Sequence, residues 1–352
     1  GKRLDVTPTE EKKDRVLEAD RCARALDDRV QQVRVTYAEK TRSVNVLDRS
    51  GWIRSEDQQY VNFNVLVIAG EPGQRERGHS RLAGYRGPEI FEEKGPREVA
   101  EEAAEQALTA LEADPVEPGP RTVVIGPGFG GTIFHEACGH GFEADHVYED
   151  VSRYAGRMGE TVASEKVTFV DEGSLDNLYG SFRIDDEGTP SRRNVLIRDG
   201  VMEGLMTDRK YADLLDIEPT GNGRRQSFNH PVLPRMTNTY IEAGEEDAET
   251  IVEDTEDGIY AAHIGGGQVD PASGDFIFSV TEGYRIEDGE ITTPIRDAAL
   301  VGNGPDVLNR IDAVGDDLEL QPGVCGKGQW VPVSVGQPTL RVRELTVGGQ
   351  DS

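Results

Sequence analysis

The chain has 352 residues, with 66 Asp and Glu against 38 Lys and Arg for a net charge of −28. That length allows two domains and a sizeable core, and the charge leaves no basic stripe to neutralise phosphates, which sets nucleic-acid binding aside. The acids are interspersed among strand-like segments and hydrophobic residues still make up 36%, so the balance describes a folded protein with a uniformly acidic surface rather than a disordered one. Such a surface suits a high-salt cytoplasm, where screening over a few ångströms removes the self-repulsion; a surface made for basic partners is the rival reading. There is no apolar run near 18 residues and no signal-peptide core, so neither a membrane span nor export is expected. Cys22, Cys138 and Cys325 are odd in number and far apart, which fits a reducing cytoplasm better than a disulfide framework. The chain opens GKRLDVTPTE without an initiator Met, and its first domain is expected to be partial.

Residues 9–32 carry apolar positions at helical spacing, with Cys22 on the apolar face as a packed thiol. Four alternating runs follow, Gln32–Glu39, Thr41–Asp48, Trp52–Gln58 and Tyr60–Ala69, joined by Ser50-Gly51 or charged turns, and read as an antiparallel meander. Gly70–Phe91 reads as polar loop. Pro96–Ala113 is an amphipathic helix with Val99, Ala103, Ala107, Leu108 and Leu111 inward. The proline-rich Asp114–Pro120 is the expected boundary between an N-terminal α/β-meander domain (1–118) and a strand-rich C-terminal domain (119–352).

The second part begins with a strand, Arg121–Ile125, running into a glycine-rich loop. Gly126, Gly128 and Gly131 spell G-x-G-x-x-G, but the next strand ends too far on to supply the ribose-binding acid, and Pro127 removes a backbone donor from any phosphate cradle. The glycines more simply let the backbone pass close to another segment or an extended substrate. Further strands are expected at Lys166–Val170, Arg193–Arg198, Thr237–Ala243, Asp275–Val280 and Thr339–Val347. A short helix is expected over Thr250–Ala261, and a hairpin through Asp288-Gly289. Strands without a βαβ rhythm make this an α+β fold.

The chemistry concentrates in GPGFGGTIFHEACGHGFEADHVYED (126–150), which gathers three of the six histidines. His135, Glu136 and His140 resemble the zinc-protease helix with one residue too many. Five residues at 100° leave the two imidazoles about 140° apart on a regular helix, so they share a metal only where the helix is widened or broken, and Gly139 and Gly141 tolerate that distortion. His146 and Glu143 stand close in sequence as candidates for a third ligand. Cys138, inside the motif, reads as a packed thiol. His79, His230 and His263 are isolated and read as exposed, structural or substrate-lining.

HEACGHGFEAD (135–145), GSFRIDDEGTP (180–190), GNGRRQSF (221–228), RMTNTYI (235–241), GGGQVDPASGDFIFSVTEGYRIEDG (265–289), LVGNGPDVL (300–308) and GVCGKGQ (323–329) together resemble the TldD/PmbA family of cytoplasmic metalloproteases, on its metal-bearing TldD side. The resemblance implies a zinc ion held by His135, His140 and Cys325, with Glu136 as general acid/base in the hydrolysis of unfolded or short peptides. Two imidazoles and one thiolate leave a fourth tetrahedral position open, as a catalytic zinc site requires. It also implies a dimer with a metal-less TldE (PmbA) type subunit, a homodimer being the other arrangement. Under this reading Gly128, Gly130 and Gly131, with Gly265, Gly266 and Gly267, are candidate rails for an extended peptide bound through its main chain. Asn222, Arg224 and Arg225 then fall near the peptide or the scaffold, a structural ion pair being the alternative for the arginines. The competing function is a non-catalytic subunit or peptide-binding partner in such a complex.

Overall fold

The computed structural model describes residues 3–4, 7–47, 51–270 and 273–349. In the first domain, helix α1 (Thr9–Leu26) leads into strands β1 (Val30–Leu47), β2 (Ile53–Glu71) and β3 (Gln74–Gly84), and helix α2 (Pro96–Glu112) closes it. Helix α1 stops short of residue 32 because the Asp27 carboxylate accepts the Arg29 N–H at 2.8 Å, a local turn bond that competes with the helical ladder. The four expected strand runs are the halves of two long strands: Lys40 pairs with Tyr60 and Thr41 with Gln59 in mid-ladder, where their polarity had suggested turns. The Ser50 half of the expected Ser50-Gly51 turn lies outside the described residues.

Gly70–Phe91, expected as loop, contains β3, which pairs with β2 from Val61↔Gly84 to Glu71↔Gln74. It is an edge strand, and its charges, which hid it in the sequence, discourage further pairing along that edge. Helix α2 packs Ala100, Ala103, Ala104 and Ala107 against Phe63, Val65 and Val67. Its alanines permit close approach, and at Gly78 of β3 an added Cβ would lie 2.0 Å from the Ala103 carbonyl oxygen.

The second domain continues with β4 (Asp114–Pro115), β5 (Gly119–Ile125), β6 (Phe169–Glu172), β7 (Arg193–Arg198), β8 (Val201–Met202), β9 (Gly223–Arg224), β10 (Leu233–Pro234) and β11 (Asn238–Ile241). Then come β12 (Asp257–Val269), β13 (Asp275–Glu287), β14 (Glu290–Arg296), β15 (Ala298–Asn303), β16 (Ile311–Val314), β17 (Glu319–Gly326), β18 (Trp330–Gln337) and β19 (Leu340–Gly349). Short helices are interposed: α3 (Gly131–Ala137), α4 (Ala144–Tyr148), α5 (Arg209–Leu215), α6 (Ala248–Glu253) and α7 (Gly304–Arg310). One sheet runs β17-β18-β11-β6-β7-β8, and the other β12-β5-β19-β15-β13-β14-β4, with β12 also pairing to β13. That extra pairing closes β12-β5-β19-β15-β13 into a ring around an apolar interior that includes Val123, Ile264, Phe278, Leu300 and Val342. The architecture is the two-domain α+β arrangement expected.

Three elements differ from expectation in this domain. The helix expected over Thr250–Ala261 ends at Glu253, and β12 takes over from Asp257, since Gly258, Ile259 and Tyr260 favour a ladder once β5 and β13 flank them. The glycines 265–267, given no element from the sequence, lie inside β12. Cys325 lies in β17, paired with Val331 of β18. That hairpin was hidden by Gly323, Gly326, Gly328 and Pro332, residues depleted from most strands.

Candidate metal centre

Strand β5 delivers the chain to the glycine loop and the loop delivers it to α3. The loop glycines are packing positions: Gly128 N–H donates to the Gln337 carbonyl at 3.0 Å, and a Cβ on Gly131 would stand 2.4 Å from Gly336 N in β18. Gly126, Gly128, Gly130 and Gly131 are all buried. The close approach is therefore to a second segment of this chain, and the expectation that Gly128, Gly130 and Gly131 form a peptide rail is corrected.

Helix α3 carries His135 and Glu136 and ends at Ala137; Cys138 takes φ −126°, ψ −50°, and a 3₁₀ turn over Gly139–Phe142 carries His140. The helix is thus broken between the two histidines, which is how a five-residue spacing turns both rings to one side. Gly139 allows the break to pack, since a Cβ there would meet Met236 Sδ at 2.4 Å. The ring centroids of His135 and His140 are 5.5 Å apart.

Cys325 arrives from β17. The ligand-capable atoms of His135, His140 and Cys325 lie within 4.8 Å of one another, all three residues being buried, and Cys325 Sγ is 3.4 Å from His140 Nε2. Each imidazole is anchored through its other nitrogen, His135 Nδ1 at 2.9 Å from Thr239 Oγ1 and His140 Nδ1 at 2.8 Å from Glu143 Oε2. His135 Nε2 is buried without a hydrogen-bond partner, an arrangement that buried polar atoms avoid unless something occupies the space before them. Both Nε2 atoms and the sulfur therefore converge on one point, and the donor set fits a divalent metal of intermediate softness.

The electrostatics agree. Burial opposes charge on the Cys325 thiol, but the His140 and His135 imidazoles overcome it and hold the pKa well below the usual thiol value. Burial likewise opposes protonation of His140, and Glu143 and Cys325 more than offset it. Glu136, 3.6 Å from His140 Nε2, keeps its side chain about one-third exposed, at 35%, so its carboxylate can reach both the cluster and solvent.

Glu143 and His146, the rival third ligands, are engaged elsewhere. His146 Nδ1 bonds the His140 carbonyl at 2.8 Å. Glu143 is fully buried and grips His140, Lys327 Nζ at 2.9 Å and, at 3.9 Å, Arg235 Nε. Glu143, Asp145 and His146 form a second group with metal-binding spacing, but Lys327 already sits there, 2.7 Å from Asp145, supplying the cation itself. Cys138 is a packed thiol as expected, its pKa pushed up to about 12 by burial.

Asn222 is fully buried, donating to Asp171 at 2.7 Å and to the Arg235 carbonyl at 3.0 Å. Asp171 in turn accepts from Thr237, two residues before the Thr239 that orients His135. Of the two placements expected for Asn222, at the peptide or in the scaffold, its burial fits the scaffold and not a substrate-binding role: it ties β6 to the segment leading into β11. Arg224 is buried and donates to the carbonyls of Met236 and Pro332, and among the described residues it makes no ion pair. Arg225 lies 4.0 Å from Asp186. Gly265, Gly266 and Gly267 lie along β12 where its pairing with β5, confined to Ile259–Ala261, has ended, so one edge of the strand is open there among the described residues.

The sequence reading missed Thr239, Arg235 and Lys327. Arg235 is fully buried and reaches the Cys325 carbonyl at 2.9 Å, which fixes the ligand strand against Glu143. All three lie in the stretches RMTNTYI and GVCGKGQ, where an Arg or Lys among apolar and glycine residues in a −28 protein was the available signal.

Broken helix, anchored imidazoles and a buried distant cysteine together make a candidate metal centre, and the similarity to known proteins points to the metallopeptidase class. The PmbA/TldA metallopeptidase C-terminal domain profile matches residues 118–349 and the corresponding central-domain profile residues 2–111. A Haemophilus influenzae metalloprotease TldD homolog is 43% identical over 350 residues, covering 97% of this chain and 73% of that protein. A Saccharolobus solfataricus zinc metalloprotease TldD homolog is 32% identical over 303 residues, covering 84% and 68%. Among solved structures, one from Thermotoga maritima superposes with TM-score 0.83 at 23% identity over 99% of this chain and 76% of that one. TldE from Thermococcus kodakarensis does so with TM-score 0.76 at 21% identity, over 99% and 78%. The chain belongs to the PmbA/TldA (TldD) metallopeptidase family.

Proposed function

We propose that this chain is a zinc-dependent peptidase that hydrolyses unfolded or short peptides, with His135, His140 and Cys325 holding the metal and Glu136 as general acid/base. The observation that carries the reading is the buried, unpartnered Nε2 of His135 facing His140 Nε2 and Cys325 Sγ. A zinc ion there would supply Lewis acidity, polarising a carbonyl and making water acidic near neutrality. Glu136 Oε2 takes the proton of the attacking water and hands it to the leaving amine. Thr239 and Glu143 hold the two imidazoles in the tautomer that leaves Nε2 free. The open edge of β12 at Gly265–Gly267 offers main-chain groups to an extended peptide, and Gly266, with nothing within 4 Å of a Cβ position, leaves room for its backbone.

The working particle in this proposal is a dimer, with a metal-less TldE (PmbA) type subunit or with a second copy, in the reducing cytoplasm that its three free cysteines suit. Among the described residues no helix is long and apolar enough to cross a membrane.

Glu136→Gln is the test. The variant is expected to bind one metal per chain while cleavage of a quenched fluorescent peptide library falls about 10²- to 10⁴-fold. Cleavage at the unaltered rate would remove Glu136 from the mechanism. A protein that binds no metal in zinc-containing, chelator-free buffer would instead support the non-catalytic subunit.

A further inference from the structure

A cavity of about 270 Å³ opens between the first-domain sheet and the second domain, lined by Lys40, Tyr60, Tyr179, Arg224, Arg225 and Trp330 among others. Val324 of β17 also lines it. Val324 is 45% exposed and its neighbour Cys325 fully buried, as expected where successive strand residues point to opposite faces. Val324 therefore turns to the cavity where Cys325 turns to the metal cluster, and Val331, the cross-strand partner of Cys325, also lines the cavity.

Its charge is opposite to that of the molecule. Four cationic side chains, Lys40, Arg42, Arg224 and Arg225, line it against two carboxylates, Asp185 and Asp186. Asp186 is matched by Arg42 in an ion pair. Asp185 is buried beneath three backbone N–H groups, those of Glu187, Thr189 and Gly223, and burial pushes its pKa up to about 7. Arg224 bonds only carbonyl oxygens; Arg225 gives its backbone N–H to Asp186 and holds its guanidinium Nε 4.0 Å from that carboxylate, with no side-chain hydrogen bond to Nε, so it shares Asp186 with Arg42. Lys40 makes no hydrogen bond or ion pair at contact distance among the described residues; burial and the Arg42 charge lower its pKa. In a chain with 66 acids to 38 bases, four cations facing two carboxylates in one cavity mark a place for an anion. The remaining wall is aromatic, Tyr60 against Tyr179 with centroids 5.8 Å apart and Trp330 at the mouth. The volume falls below the roughly 300–1,000 Å³ of sites for drug-sized ligands, so it holds one large residue and not a nucleotide.

We propose that this cavity binds the C-terminal residue of a peptide, its carboxylate between Lys40 and Arg225 and its large apolar side chain against Tyr60, Tyr179 and Trp330. The site does not depend on hydrolysis at the metal cluster. It gives the protein a hold on a chain end, by charge-assisted bonds to the carboxylate and apolar contact to the last side chain.

Trp330 is one of two tryptophans and reports on the cavity directly. The full chain carrying Glu136→Gln, in salt at which circular dichroism shows it folded, is titrated with N-acetyl-phenylalanine, N-acetyl-phenylalaninamide and acetate. The expected result is a saturable change in Trp330 fluorescence with the first probe and binding at least about tenfold weaker for the other two, as loss of a charge-assisted bond or of the apolar contact implies. Trp330→Phe should remove the signal, and Lys40→Met with Arg225→Met should abolish saturation. If that double variant fails to fold, Lys40→Glu on the exposed strand face should weaken binding by a similar factor. An amide or acetate that binds as well as the acid, saturation that survives loss of the two cations, or no saturation up to the solubility of the acid would overturn the proposal. None of these readouts requires cleavage, so the outcome is independent of the hydrolytic reading.

Discussion

Nδ1 of His140 lies 2.8 Å from Oε2 of Glu143, and this contact decides which nitrogen of His140 is left for a metal. By sequence Glu143 competed to be a ligand; in space it orients one. Burial alone would raise its pKa, but His140 and Lys327 hold it below the usual carboxylate range, so it accepts and does not donate. Glu143→Gln preserves shape and removes the charge, and carboxamide partners are weaker anchors for metal-bound histidine. Metal affinity in a competition with a chromogenic chelator is expected to fall about 10- to 100-fold. Unchanged affinity would mean that Glu143 serves only Lys327 and Arg235.

The glycine loop makes a separate prediction. Gly131 opens α3, and a Cβ there meets the backbone of Gly336 at 2.4 Å, an obstacle no rotamer change can relieve. Gly131→Ala should therefore lower stability by about 1–3 kcal/mol, the usual cost of overpacking, and shift His135 away from Thr239. Gly266→Ala, with open space around it, should cost little by the same measure. Equal urea midpoints for the two variants would show that the loop is not pinned to β18 as described.

How much of this was legible in the chain follows from which interactions are local. The break between His135 and His140 could be read from five residues of spacing and a glycine, because helical periodicity is a local constraint. Cys325 lies 185 residues from His140 and was reached only through family resemblance, since no local pattern distinguishes a ligand cysteine in a strand from a packed one. The hairpin of β17 and β18 was obscured by glycine and proline, and β3 by its charges, since the edge strands β17 and β3 are each ordered by the ladder of the strand next to them and not by their own composition. Asn222 was left between the peptide and the scaffold because polar, glycine-rich segments commonly line sites; burial against Asp171 selects the scaffold, and burial is a tertiary fact.

Two buried carboxylates set a pH dependence. Burial raises Asp171 from 3.8 to about 6 and Asp185 from 3.8 to about 7. A carboxyl whose pKa is higher folded than unfolded binds more protons in the folded state, so its stabilising contribution is full below about pH 4 and is lost as pH rises through about 6 and 7. At about 1.4 kcal/mol per unit, rises of about 2 and about 3 amount to about 7 kcal/mol over the whole titration, of which about 4 kcal/mol is lost between pH 5 and pH 8. The urea midpoint should fall between pH 5 and pH 8 even in molar salt, where surface repulsion is screened to about 3 Å. A midpoint that is flat or rising over that range in high salt would contradict the burial of these two groups.

X-ray absorption at the metal edge of the zinc-loaded protein tests the central claim most directly. The ligand set of His135, His140 and Cys325 is expected to give nitrogen scatterers at about 2.0–2.1 Å and a single sulfur at about 2.3 Å, the sulfur shell vanishing in Cys325→Ser while the spectrum of His146→Ala stays unchanged. A first shell without sulfur, or one whose sulfur survives Cys325→Ser, would contradict it.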